Sequence, residues 1–251
     1  LFLTGIAFLV LIFFSWHSLS EVPPTWMDEG IITQVAINIT QHGVYGIQIA
    51  PQEFVPAGFV TTSYPVIYPI ALAFSVWGIS LETARSVMAL FLLSIGIISF
   101  LFLYSLDHTR STILKILGLF LLVTFAPLYG HGKNVLGEVP GLVFLLLSLV
   151  ILQYREVSHR YVFVSGLCLG LSMATKPIYL ILILPSMLLS LFLYRASFTK
   201  KQFIAFSGGV IIPLGMWILV HFSGDSLFEL LGAGNPDSVS PFILIRNNIS
   251  R

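Results

Sequence analysis

The sequence predicts an all-α integral membrane protein, a multi-pass bundle of about seven spans whose large external first loop carries juxtamembrane helices. Three observations predict it. Hydrophobic residues make up 57% of the chain, above the ~45–50% of soluble domains. Charged residues are only 9%, and mean hydropathy is +0.96. Several apolar runs reach the ~20 residues a helix needs to cross a bilayer.

The first run, Phe2–Leu19, lacks a basic leading region and an Ala-x-Ala-type site, so it reads as an uncleaved anchor. Asp28 to Gln41 follows as a helix, with Ile31, Val35 and Ile39 on one face and Gly43 as its stop. Gly46 to Ser63 carries Pro51, Pro56 and Gly58, which suit a loop. Tyr64–Gly78 is shorter than a span and reads as a helix on the membrane surface, with Tyr64 and Tyr68 at the water boundary. The remaining spans are Thr83–Leu106, Ile113–Tyr129, Pro140–Tyr154, Tyr161–Ala174, Pro177–Tyr194 and Phe203–Phe222; Pro185 and Pro213 are expected to kink the last two.

Charge fixes the sides. With an N-terminus in the cytoplasm and Tyr64–Gly78 at the interface, Arg110, Lys115, Arg155, Arg160, Arg195, Lys200 and Lys201 all fall in or beside cytoplasmic turns. Glu21, Asp28, Glu29, Glu53, Glu82, Glu138, Asp225, Glu229 and Asp237 fall on the opposite face. If Tyr64–Gly78 crossed, the basic turns would split between the faces. The chain starts at Leu1 and ends after a polar segment, so it reads as a fragment. Residues 1–222 form the transmembrane domain, with an external loop at about 20–82, and 223–251 begin an external segment. The net charge of +1, with no basic tract, gives no footing for nucleic acid. The lone Cys168 excludes a disulfide within the chain.

This topology collects Asp28, Glu29, Arg85, His131, Lys133, Glu138 and Lys176 at external ends of apolar segments. A carboxylate there suits base work toward a hydroxyl, and cations there suit a phosphate leaving group. Each residue also has a plainer reading. Asp28 fits a helix N-cap with Glu29 in the first turn, and Glu138 fits a helix start. Arg85 and Glu82 fit a surface ion pair. Lys176 fits a snorkelling cation, and His131 and Lys133 fit loop polarity. His17, His42 and His221 have no ligand spacing and read as structural. The Asn-x-Ser/Thr triplets at Asn38 and Asn248 are discounted as chance matches.

Five segments carry a resemblance: Asp28-Glu29, Thr62 to Pro69, Glu82 to Ser86, Gly132 to Pro140 and Gly166 to Pro177. In order and sidedness they resemble the protein O-mannosyltransferase and aminoarabinose-transferase group of GT-C membrane glycosyltransferases. That resemblance covers the chain to about Phe222. It implies transfer of a sugar from a polyprenyl-phosphate donor to an acceptor protein, lipid or glycan, on the extracytoplasmic side of the plasma membrane or endoplasmic reticulum. It implies Asp28 as the leading catalytic carboxylate, with Glu29 beside it, and Glu138 as the second acid. Arg85 is implied for the donor phosphate. By their placement at external span ends Lys133 and Lys176 join it there, and His131, with Tyr64 and Tyr68 as belt residues first, is a candidate for substrate contact. Lys133 stands where the group commonly has Arg. Carboxylate oxygens would suit magnesium or manganese, but the chain presents no full ligand set. The rival class is a transporter or lipid carrier. Such proteins place charge mid-span and carry paired repeats, whereas here the acids lie at span ends. A catalytically silent homologue is the third reading.

Overall fold

The structure, a computed structural model, describes residues 2–58, 60–105, 112–153, 158–183 and 199–221. Arg110, Arg155, Arg195, Asp225, Glu229, Asp237, Pro185, the Asn248 triplet and the external segment from 223 onward lie outside these residues.

The described chain is mostly helical. In order it comprises α1 (Phe2–Trp16), α2 (Met27–His42), β1 (Gly46–Ala50), β2 (Glu53–Pro56), α3 (Tyr64–Trp77), α4 (Leu81–Ser105), α5 (Thr112–Val123), α6 (Ala126–Gly132), α7 (Glu138–Gln153) and α8 (His159–Thr175). Helical residues 177–183 (α9) and α10 (Lys200–His221) complete it.

Two of the helices, Leu81–Leu103 and Lys200–His221, are long and apolar enough to cross a membrane. A third span is formed if Lys115–Val123 and Ala126–Gly132, bent by 49°, count as one. Among the described residues that is fewer than the seven expected, and the expected span Pro177–Tyr194 lies outside them from residue 184 onward. Part of the reason is length: at 1.5 Å per residue a helix of about 15 residues covers roughly 22 Å, short of a ~30 Å hydrocarbon core. The 15-residue α1 and the 16-residue α7 belong to that class, as does the 14-residue α3, which was expected at the interface and not as a span. The predicted span Ile113–Tyr129 breaks because Pro127, at the start of α6, has no N–H to continue the ladder. The Thr124 hydroxyl, donating to Phe120 O at 2.7 Å, closes α5 just before it.

The segment expected as a loop at Gly46–Ser63 instead begins with an antiparallel hairpin, pairing Gly46 with Pro56 and Ile47 with Val55. The prolines mask it in sequence but sit where a ladder tolerates them. Pro51 is in the two-residue turn, beside Gln52 at φ 64°, and Pro56 ends the second strand. The hairpin is tied to α2 by Asn38 Nδ2 donating to Gly46 O at 2.8 Å. Gly43 ends α2 as expected, in the left-handed conformation (φ 67°), its N–H donating to Ile39 O at 3.0 Å.

Four apolar clusters hold the bundle. One joins α2, α3, the start of α4 and the hairpin through Ile32, Val35, Ile67, Ile70, Phe74 and Met88. Others join α4 to α6 and α7 through Leu92, Ile95, Leu128 and Val143, and α1 to α5 through Ala7, Leu11, Leu119 and Val123. The last joins α8 to α10. Much apolar surface still faces outward, including Ile204, Ile211, Met216 and Leu219 on α10.

α8 and α10 approach through small residues, the device that lets helix backbones touch. A Cβ on Gly209 would meet Leu167 N at 2.8 Å, and one on Gly170 would meet Val210 O at 2.6 Å. Neither obstacle is a movable side chain. Gly209→Val is therefore expected to destabilise by about 1–3 kcal/mol, the usual range for overpacking. Gly208, whose Cβ would meet nothing within 4 Å, should accept Ala with a gain of about 0.5–1 kcal/mol from helix propensity. Thermal unfolding of the two variants should move in opposite directions.

Candidate functional site

Trp26, in extended conformation (ψ 151°), caps α2, so Asp28 lies one residue inside the helix rather than at its cap, and no side-chain cap bond forms. Both Asp28 and Glu29 occupy the first turn, where the helix dipole favours carboxylates. Successive helical residues point ~100° apart. Asp28 accordingly turns into an open cleft, while Glu29 turns into the protein.

The cleft has a volume of about 380 Å³. Asp28 and Trp26 line it from the start of α2, Pro23 and Pro24 from the preceding connection, His131 from α6, Asn134 from the α6–α7 connection, and Glu138 from the start of α7. Two carboxylates and an imidazole separated by about a hundred residues of sequence thus share one cavity. Glu138 begins α7, half exposed, and forms an ion pair with Lys176, the residue at the break after α8. The Tyr179 hydroxyl donates to Glu138 O.

This arrangement depends on close backbone packing. Ser63 N donates to Thr175 O at 3.1 Å. At Gly137 a Cβ would meet Thr62 Oγ1 at 3.0 Å, Thr175 O at 3.1 Å and the Lys176 Cβ at 3.2 Å. Three of the segments singled out in the sequence therefore touch at one point.

Glu29 and Arg85 are fully buried. Arg85 Nε donates to Glu29 Oε1 at 2.8 Å and Nη2 to Glu29 Oε2 at 2.7 Å, a bidentate pair. Nη1 donates to Leu19 O at 2.7 Å and Pro23 O at 2.8 Å, and Nη2 also to Asn134 Oδ1 at 3.1 Å. Glu29 Oε1 further accepts Val135 N–H at 3.1 Å. A guanidinium has five N–H donors, and here each has an acceptor. This corrects three expectations. Arg85 is neither a surface partner of exposed Glu82 nor free to grip a donor phosphate. Glu29, fully buried, accepting three hydrogen bonds and absent from the cleft lining, is not placed to take a proton from an acceptor.

Lys133 also departs from its expected phosphate role. It is buried, and its Nζ donates to His17 O at 2.7 Å near the end of α1. Burial first, and the Arg85 charge second, lower its pKa from the ordinary 10.5. The folded state thus holds this proton less tightly than the unfolded chain does. The penalty is complete below the lowered pKa and is relieved as pH rises from there toward 10.5. Lys133→Met should remove this rise: across that alkaline window, stability of the parent relative to the variant should increase with pH, read from chemical denaturation at several pH values.

Tyr64 and Tyr68 do not line the cleft. The Tyr64 hydroxyl donates to Pro213 O of α10 at 3.3 Å, and Tyr68 lies 5.9 Å from Tyr45 between ring centroids. Of the histidines read as structural, His17 stacks on Phe13 and His221 on Trp217.

Among the described residues no group of three or more His, Cys, Asp or Glu side chains converges as a metal set. Two carboxylates, one already engaged by Lys176, do not make a fitting site for magnesium or manganese. Asn134, Trp26 and Tyr179 were not singled out by sequence reasoning. Asn134 lies within the Gly132 to Pro140 segment, directly after Lys133, and Trp26 lies two residues before Asp28. No protein-family model, curated protein sequence or solved structure matches the chain.

Proposed function

We propose that this chain is the transmembrane part of a glycosyltransferase that moves a sugar from a polyprenyl-phosphate carrier to an acceptor hydroxyl outside the cytoplasm. One observation carries the reading: Asp28, His131 and Glu138 line a single cleft at the ends of apolar helices. The outward-facing apolar surface suits a donor with a lipid tail, which could approach from the bilayer. The segment resemblance to GT-C transferases supports the same reading independently of the geometry.

In this mechanism Asp28 takes the proton of the acceptor hydroxyl. The acceptor oxygen bonds to the anomeric carbon as the carbon–oxygen bond to phosphate breaks. The electron pair leaves with the polyprenyl phosphate, and the anomeric configuration inverts. With Arg85 and Lys133 engaged internally, Lys176 is the cation left to meet the departing phosphate, exchanging Glu138 for it. Glu138, so released, orients the acceptor together with His131. Cysteine-accessibility labelling at positions 28 and 138 in sealed vesicles tests the side of the membrane.

The direct test offers the full-length protein a panel of polyprenyl-phosphate hexoses and pentoses, with and without peptide, lipid and glycan acceptors. The product's anomeric configuration is then read by NMR. Inverted product is expected; absence of both transfer and sugar release from every donor removes the proposal.

A further inference from the structure

The Glu29–Arg85 pair joins three separate pieces of chain. Through Leu19 O and Pro23 O, Arg85 holds the connection between α1 and α2. Through Glu29 it holds the first turn of α2. Through Asn134 Oδ1, and through Glu29 to Val135 N, it holds the connection between α6 and α7. These pieces are also the walls of the cleft: Pro23, Trp26 and Asp28 on one side, His131, Asn134 and Glu138 on the other. Asp28 is the immediate neighbour of Glu29, and Glu138 follows Val135 by less than one helical turn.

We infer that Arg85 is a positioning residue: a buried latch that sets the separation of the two cleft walls, and with it the distance between Asp28 and Glu138. An arginine is required because its planar fork addresses five acceptors in fixed directions, whereas a lysine ammonium has three donors and no plane. Buried polar networks of this kind hold one geometry only when every member is satisfied. The inference rests on the proposed function for its catalytic consequence, but its geometric content stands apart.

The experiment uses full-length protein with Cys168→Ser, carrying spin labels at Trp26→Cys and His131→Cys on the two walls. Electron–electron distance measurement should give one narrow distribution for the parent and for the control Glu82→Gln. Arg85→Lys should broaden or shift it. If that variant does not fold, Asn134→Ala, which keeps the bidentate pair, serves instead and should give a smaller change in the same sense. An unchanged distribution in a folded Arg85→Lys or Asn134→Ala protein overturns the latch. In the transfer assay, a positioning role lowers kcat at least about tenfold, equivalent to ~1.4 kcal/mol, with donor KM within about twofold. A raised donor KM at constant kcat would instead make Arg85 a phosphate contact and overturn the latch. Should the parent transfer no sugar, the proposed function falls while the distance distributions still judge the latch.

Discussion

Arg85→Met should destabilise the folded chain by about 3–5 kcal/mol, the cost of leaving a buried ion without its partner. The carboxylate of Glu29 would stay sealed inside with only the Val135 N–H at 3.1 Å. Leu19 O, Pro23 O and Asn134 Oδ1 would also each lose a donor. Since domains are stable by only ~5–15 kcal/mol, much of the variant should fail to accumulate. The double variant Glu29→Leu/Arg85→Met removes the stranded charge and should recover part of the loss. Thermal unfolding of the four members of this cycle in detergent gives the coupling energy directly. A double-variant loss equal to the sum of the two single losses would mean that the charge pairing contributes little.

Asp28→Asn should lower sugar transfer by about 10²–10⁴-fold, the usual contribution of a positioned general base. The amide keeps the side chain's shape and its place in the cleft. What it gives up in stability is the interaction of one charge with the α2 dipole, ~0.3–1 kcal/mol. A large kinetic effect beside a small thermal one is therefore the expected signature, and it contrasts with Arg85→Met. Retained transfer at normal expression would remove Asp28 from the mechanism.

Neighbouring carboxylates with opposite fates are the clearest case of what sequence leaves open. Asp28 and Glu29 look equivalent in a list of residues, and Glu82 looks the natural partner for Arg85 one turn away. Helical geometry sends Asp28 and Glu29 in different directions, and the tertiary fold then buries Arg85 against Glu29, 56 residues distant. Lys133 and Lys176 similarly look alike as interfacial cations; packing places one under the end of α1 and the other against Glu138.

The helical content, the stop at Gly43, the bounds of α3 and the mostly helical, apolar character of the chain were determined by the sequence alone. Each follows from local chemistry: hydrophobic periodicity, a glycine's access to positive φ, and the apolar composition of continuous runs. The break before α6 follows from Pro127, a local signal the apolar run concealed, whereas long-range placement decided which acids meet in the cleft and which charge is spent inside the protein. The energy of a buried ion pair depends on every acceptor within reach, and those acceptors come from chain segments that only folding brings together.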